Sequence, residues 1–182
     1  MTANKLNFTY MKSTELLVTE YSTFNATYIG AVDPLVDLIA GLENSIDKMI
    51  ALLETLPEEK WNYRYAVGKW TIKDIIQHII DAERIFGYRA LRISRNDKTP
   101  LAGFDENDYV QNTNANARNS KDLLTELKLV RQTTILFFKS LSDEQLLRLG
   151  TASNHSISVR AIGFVILGHQ EHHCKVIQER YL

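Results

Sequence analysis

Apolar residues recur with helical spacing in four long stretches of the chain, which predicts four amphipathic helices. In the first stretch, Asp33 followed by Pro34 can cap and begin a helix, and Pro57 ends it. The apolar rows between these points are Leu35, Leu42, Met49 and Leu56, and Ile39, Ile46 and Leu53. Such a heptad-like stripe is typical of a helix that packs in a bundle.

The other three stretches carry their own start signals. Thr71 opens the second helix with a capping box, Ser120 can cap the third, and Ser158 can cap a last helix that runs to the end of the chain. The polar connections 96–119 and 151–157 predict loops. Because no segment shows sustained strand alternation, the pattern predicts an all-α fold, a four-helix bundle.

The length of 182 residues fits one domain. Residues 1–30 are weakly patterned, so we expect an N-terminal extension (1–30) that could be partly disordered, followed by a single four-helix-bundle domain (31–182). The formal net charge of −1 gives no basic excess for nucleic acid. No apolar run approaches a membrane span, no secretory signal is visible, and a lone cysteine fits a reducing compartment, so a cytoplasmic location is expected.

Two histidines of the last helix fall on its apolar stripe. His169 and His173 are four residues apart, so their imidazoles point into the core one turn above the other. A buried polar group is costly without partners, and a shared divalent metal ion would remove that cost. A hydrogen-bonded core pair or a pH-sensing pair is the alternative.

The second helix offers a third ligand. His78 lies at the flank of the apolar stripe and can project into a seam between helices. Asp81 lies on a nearby face, where it could orient that imidazole or act as a catalytic base. Glu83 falls on the apolar stripe itself and needs a cation or donor, for which Arg131, Lys73 or a tyrosine could serve.

Two segments of the chain together carry a family resemblance. Residues 70–83 (WTIKDIIQHIIDAE) and residues 168–173 (GHQEHH) resemble the DinB/YfiT-like superfamily, and the resemblance covers residues from about 33 to 182. It implies a four-helix bundle that binds zinc, nickel or a similar divalent ion through three histidines, here His78, His169 and His173. It also implies activities ranging from thiol-dependent transfer and isomerisation to metal-dependent hydrolysis.

The expected function is therefore that of a metal-dependent enzyme acting on a small molecule. A divalent ion, Zn or Ni, would activate a water in a hydrolase or a low-molecular-weight thiol in an S-transferase. Asp81 is the candidate base. The alternative is a non-catalytic metal-binding or stress-response interaction bundle, and a homodimer formed through an exposed apolar helix face is a further option.

Overall fold

The computed structural model describes residues 11–182 and is built mainly of helices. Two short strands form one antiparallel hairpin, β1 (Leu149–Ala152) and β2 (His155–Ser158). The α-helices in chain order are α1 (Thr23–Ile29), α2 (Leu38–Glu54), α3 (Glu58–Trp61), α4 (Ile72–Ser94), α5 (Glu106–Gln111), α6 (Ser120–Lys139), α7 (Asp143–Leu147) and α8 (Val159–Arg180). The four long helices α2, α4, α6 and α8 form a four-helix bundle, which confirms the predicted fold class.

The order of helices around the bundle is not the chain order. Both α2 and α4 pack chiefly against α6 and α8, so α2 and α4 lie diagonally opposite each other. Of the consecutive long helices, α4 and α6 are neighbours, whereas α2 with α4 and α6 with α8 do not pair closely as they would in a simple up-and-down bundle. The long connection 96–119, which contains α5, joins the neighbouring helices α4 and α6 and packs against α4.

Two of the predicted capping residues have the expected role. The Thr71 side chain accepts a hydrogen bond from the Asp74 amide at the start of α4, and Ser158 accepts one from the Ala161 amide at the start of α8. The Thr71 box is reciprocal, since the Asp74 carboxylate accepts from the Thr71 amide. These side chains satisfy amides that have no partner within their own helix.

The predicted starts of α2 and α6 were wrong by a few residues. The Asp37 carboxylate caps α2 by accepting from the amides of Ile39 and Ala40, whereas the Asp33 carboxylate accepts from the Leu35 amide in a preceding turn. The Asn119 side chain caps α6 in place of Ser120. In both cases two capping residues stood close together, and the periodicity could not choose between them.

The hairpin corrects the prediction of a polar loop at 151–157. Ser153 and Asn154 both have positive φ angles, 50° and 65°, as a two-residue type I′ turn requires. Each strand has only four residues, too few for the alternation of polar and apolar positions to stand out. Loop residue Leu101 extends the arrangement, since its amide donates to the carbonyl of Thr151.

A polar layer divides the bundle core into two hydrophobic clusters. The Arg131 guanidinium donates to both carboxylate oxygens of Glu83, at 2.8 and 2.9 Å, and also to Ser45 Oγ and the Leu42 carbonyl. Neither charge is left unpaired, although Arg131 is fully buried and Glu83 is 3% exposed. The prediction that a cation such as Arg131 neutralises Glu83 is confirmed.

Residues 11–32 pack on the outside of the bundle, with α1 lying against α8. The buried Glu20 carboxylate accepts from the Ser158 hydroxyl and pairs with Arg160 at the start of α8. Of the expected N-terminal extension (1–30), residues 1–10 lie outside the described residues. Within residues 11–182, no helix has the length and apolar character needed to cross a membrane.

Candidate metal centre

Three histidine side chains from α4 and α8 converge inside the bundle. The Nε2 atom of His169 lies 2.9 Å from Nε2 of His78 and 3.2 Å from Nε2 of His173. All three side chains are buried, and their nitrogens form a cluster of the kind that can hold a metal ion. The structure thus brings together the three residues that the sequence predicted as ligands.

Burial favours the neutral form of these imidazoles. It lowers the pKa of His78 to about 4. Burial, with a smaller contribution from neighbouring His78, His172 and Arg131, lowers the pKa of His169 to about 3. Burial is also the main cause that holds the pKa of His173 well below its ordinary value. The neutral imidazole is the form that binds a metal ion.

The arrangement of the nitrogens fits a divalent ion. A neutral ring nitrogen carries either one proton or one lone pair in the ring plane, so His169 Nε2 cannot make good hydrogen bonds to both neighbours. An ion at about 2.0–2.1 Å from each nitrogen, with angles of about 90–109°, would hold the nitrogens about 2.9–3.4 Å apart. Two of the three separations, 2.9 and 3.2 Å, lie in that range, and all three ligand atoms lie within 4.8 Å of one another.

A cavity of about 360 Å³ adjoins the histidines, which form part of its lining. Its other walls are mainly aromatic and aliphatic, and include Phe24, Tyr28, Trp70, Phe86, Phe104 and Ile162. Concave, largely apolar cavities with a few converging polar groups are the usual form of small-molecule sites. The candidate ligands therefore lie where a small substrate can reach them.

Part of the cavity wall comes from α1, which the sequence did not connect with the site. The Tyr28 ring stands edge-on to His169, with ring centroids 5.2 Å apart, and also contacts His172. Phe24 stands edge-on to Tyr28 and completes this side of the wall. Neither residue lies in a capping motif or a histidine cluster, so no sequence signal marked it.

Trp70, just before the Thr71 cap, packs directly on two of the three histidines. Its ring centroid lies 4.9 Å from that of His78 and 6.4 Å from that of His173. Its backbone carbonyl accepts a hydrogen bond from the Tyr181 hydroxyl, which fixes the residue between the end of the chain and α4. Trp70 thus shields the histidine cluster from solvent while it lines the cavity.

Asp81 lies apart from the cavity lining. Its carboxylate accepts from Gln77 Nε2 at 2.9 Å and lies 3.9 Å from Arg84. Burial raises its pKa, and the hydrogen bond from Gln77 and the charge of Arg84 oppose that effect. Among residues 11–182 it makes no hydrogen bond to His78. Its role as a catalytic base stays a prediction.

The two remaining histidines lie near the cluster without joining it. His172 is exposed and stands between the Tyr28 ring and His173, as its position at the edge of the helical stripe indicates. His155 is exposed at the start of β2 and lines the far side of the cavity. Both are therefore suited to serve as controls for the three buried histidines.

A helical bundle with three converging histidines beside a small-molecule cavity defines a class of metal-binding proteins. The family model of the DinB superfamily matches residues 42–177, and the chain belongs to that superfamily. This confirms the resemblance seen in the sequence.

Two known proteins are similar over most of their length. A Geobacillus thermodenitrificans protein described as a "Putative metal-dependent hydrolase" is 23% identical over 153 residues, which cover 83% of this chain and 86% of the relative. The solved structure of YfiT from Bacillus subtilis superposes with a TM-score of 0.70 at 17% identity and covers 90% of both chains. YfiT is described as "a probable metal-dependent hydrolase with an unusual four-helix bundle topology".

Proposed function

We propose that this protein is a metal-dependent enzyme in which His78, His169 and His173 hold one divalent ion, Zn²⁺ or Ni²⁺. The observation that carries the proposal is the convergence of three buried Nε2 atoms at the wall of a cavity. Membership of the DinB superfamily supports it. The ion would supply Lewis-acid chemistry, which lowers the pKa of a water or thiol.

The chain itself provides rigid positioning and a dry environment. His169 and His173 are fixed one turn apart on α8, and His78 is fixed on the adjoining α4, so none depends on a loop. Trp70 and Tyr28 cover the imidazoles on two sides and limit the access of water. Three protein ligands leave room for a substrate group that enters from the cavity.

Hydrolysis of a small molecule is the reaction we propose first. The cavity of about 360 Å³ suits a small organic substrate rather than a polymer. The two relatives described above carry hydrolase descriptions, which support this choice. Hydrolysis needs a base near the histidines that accepts the proton of the attacking water. Asp81 is the base predicted from the sequence, and the variant Asp81→Asn tests it.

Transfer from a low-molecular-weight thiol is the second candidate, and one observation favours it. A second cavity, of about 250 Å³, shares Trp70, His172 and His173 with the first. Two chambers that meet at one site could hold two reactants, whereas hydrolysis needs one organic substrate and water.

Metal analysis of untagged protein tests the proposal. Elemental mass spectrometry after loading with Zn²⁺ or Ni²⁺ should find close to one ion per chain, with loss in His78→Ala and His169→Ala. His155→Ala is the matched control, because it removes an exposed cavity histidine outside the cluster and should retain the ion. An absence of metal in the parent protein, or equal loss in the control, would contradict the three-histidine site.

Activity then separates the candidates from a non-catalytic bundle. Loaded parent protein and His169→Ala are compared in ester and amide hydrolysis, and in conjugation of a small thiol to an electrophile. Metal-dependent turnover in one assay selects that reaction. Stoichiometric metal without turnover across both panels would favour a non-catalytic metal-binding bundle. The homodimer stays a prediction that sedimentation velocity can test.

A further inference from the structure

Arg89 is a buried cation in the cavity wall, and no carboxylate among residues 11–182 forms an ion pair with it. Its side chain is 7% exposed. Its Nη2 donates to the Ala102 carbonyl at 2.7 Å and to Ser153 Oγ at 3.0 Å, and both acceptors are uncharged. Within the described part of the chain, its Nε and Nη1 donate to no acceptor, which leaves three N–H donors free.

The two buried arginines of this bundle differ in one respect. The charge of Arg131 is neutralised by Glu83, and four of its five N–H donors have acceptors in Glu83, Ser45 and Leu42. A buried charge is normally paired in this way, because desolvation without a counter-charge is costly. Arg89 has no such partner and faces a cavity, which is the arrangement expected when an anionic ligand completes the pairing.

Arg89 lies on the same face of α4 as His78. The two residues are eleven positions apart, which is close to three helical turns and about 16 Å along the axis. Ala82 and Phe86 lie between them on that face, and all four line the cavity. Along α4, the cavity wall therefore consists of the histidine cluster, then apolar residues, and then a cation about three turns beyond His78.

The surroundings of Arg89 favour a ligand that carries an apolar group next to its charge. The guanidinium carbon lies 5.9 Å from the ring centroids of both Phe86 and Phe104. Glu106 also lines the cavity, but it is exposed at the rim and forms no ion pair with Arg89. Burial lowers the pKa of Arg89, yet an arginine remains charged near neutral pH.

We propose that Arg89 is a specificity-determining residue that binds an anionic group, a carboxylate or a phosphate, on the substrate of this cavity. This inference rests on the proposed function, because it assumes that the reacting end of that substrate lies at the three histidines. The substrate class is then an elongated small molecule with an anionic head, an apolar middle and the reacting group at the opposite end. Neutral analogues of the same shape bind weakly, because they leave the buried guanidinium unpaired.

Isothermal titration with matched probes tests this assignment. The probes are 4-phenylbutyrate, its neutral amide and 3-phenylpropyl phosphate, so the two anions distinguish carboxylate from phosphate recognition. We expect at least one anion to bind the parent protein about tenfold or more tightly than the amide. Arg89→Met should abolish the preference, and Arg89→Lys should retain part of it. Arg92→Met, which alters an arginine outside the cavity lining, should leave it unchanged.

The same titration in metal-free His169→Ala separates this proposal from the metal site. Preference for the anion in that variant shows that Arg89, not a bound ion, recognises it, even if metal analysis refutes the three-histidine site. Equal binding of both anions and the amide to the parent, or a preference that survives Arg89→Met, overturns the proposal. So does a preference that disappears in His169→Ala while the variant stays folded.

Arg89 also ties Ala102 to Ser153, so Arg89→Met could fail to fold. The arginine Nε–H resonance, observed by NMR in the parent protein and assigned by its absence in Arg89→Lys, gives a second measurement. The anion that binds should shift this resonance at concentrations where the amide does not. If the anions and the amide shift this resonance equally, the assignment is overturned.

Discussion

The backbone carbonyl of Tyr28 occupies the space where a side chain at position 168 would lie. A Cβ atom built on Gly168 would be 1.9 Å from that oxygen, closer than any real contact. Glycine at this position therefore allows α1 to pack directly on α8, one residue before His169. The close approach also brings the Tyr28 ring against the histidine cluster.

Gly168→Ala should loosen α1 from the bundle. The clash is with backbone, which cannot rotate away, so we expect a loss of about 1–3 kcal/mol in the free energy of unfolding. Urea denaturation measures it. Gly87→Ala is the matched control, because a Cβ there meets nothing within 4 Å in the middle of α4. Alanine should stabilise that helix by about 0.5–1 kcal/mol, so equal effects at both positions would contradict the packing argument.

Removing one partner of the buried Arg131–Glu83 pair should be far more harmful than removing both. Arg131→Met leaves the Glu83 carboxylate buried and unpaired, which should cost about 3–5 kcal/mol of stability. The double variant Glu83→Met with Arg131→Met leaves no charge in this layer of the core, and Ser45 still donates to the Leu42 carbonyl. It should recover most of the loss in the same denaturation experiment. A double variant as unstable as Arg131→Met would show that the charges are not the cause.

Periodicity predicted the long helices well, because a buried stripe constrains every third or fourth residue over several turns. It placed Glu83 in the core and named Arg131 among its partners, as the structure confirms. It could not find the hairpin, since four-residue strands contain too few positions to show a period of two. It also could not order the helices, because a stripe shows that a helix is buried but not which helix covers it.

The candidate site was predictable in part for the same reason. His169 and His173 share a stripe on one helix, so a helical wheel brings them together, whereas His78 needed the family resemblance. The part that Tyr28 plays in the cavity wall was not predicted. It depends on a contact between elements distant in the chain, the packing of α1 on α8. No local spacing encodes such contacts.

The Glu20–Arg160 pair should make the docking of the N-terminal segment depend on pH. Burial alone raises the pKa of Glu20, but hydrogen bonds from Arg160, the Leu17 amide and Ser158 together bring it below the ordinary value of 4.5. Since the folded pKa is the lower one, the stabilisation is present above about pH 4.5 and is lost as pH falls through the folded pKa.

Glu20→Gln should therefore lower the free energy of unfolding at pH 7, and the difference from the parent should shrink below about pH 4.5. Urea denaturation across this pH range measures it. Glu144→Gln, which breaks an exposed pair with Arg148, should change stability by less than about 0.5 kcal/mol at every pH. If the difference in unfolding free energy between Glu20→Gln and the parent stayed constant with pH, the link between Glu20 ionisation and stability would be contradicted.

The position of Trp70 makes metal binding visible by fluorescence. Its ring centroid lies 4.9 Å from that of His78, whereas the chain's other tryptophan, Trp61, is buried in the neighbouring core and, among the described residues, has no ring contact with the three histidines. Ni²⁺ has a partly filled d shell and quenches the fluorescence of a nearby indole. Zn²⁺ has a filled d shell and does not quench in this way. Ni²⁺ should therefore quench the parent protein and Trp61→Phe strongly, and Zn²⁺ should quench neither.

Trp70→Phe, with Trp61 as its sole tryptophan, should respond only weakly to Ni²⁺. Strong quenching in Trp70→Phe, or its persistence in His169→Ala, would place the ion away from the three histidines.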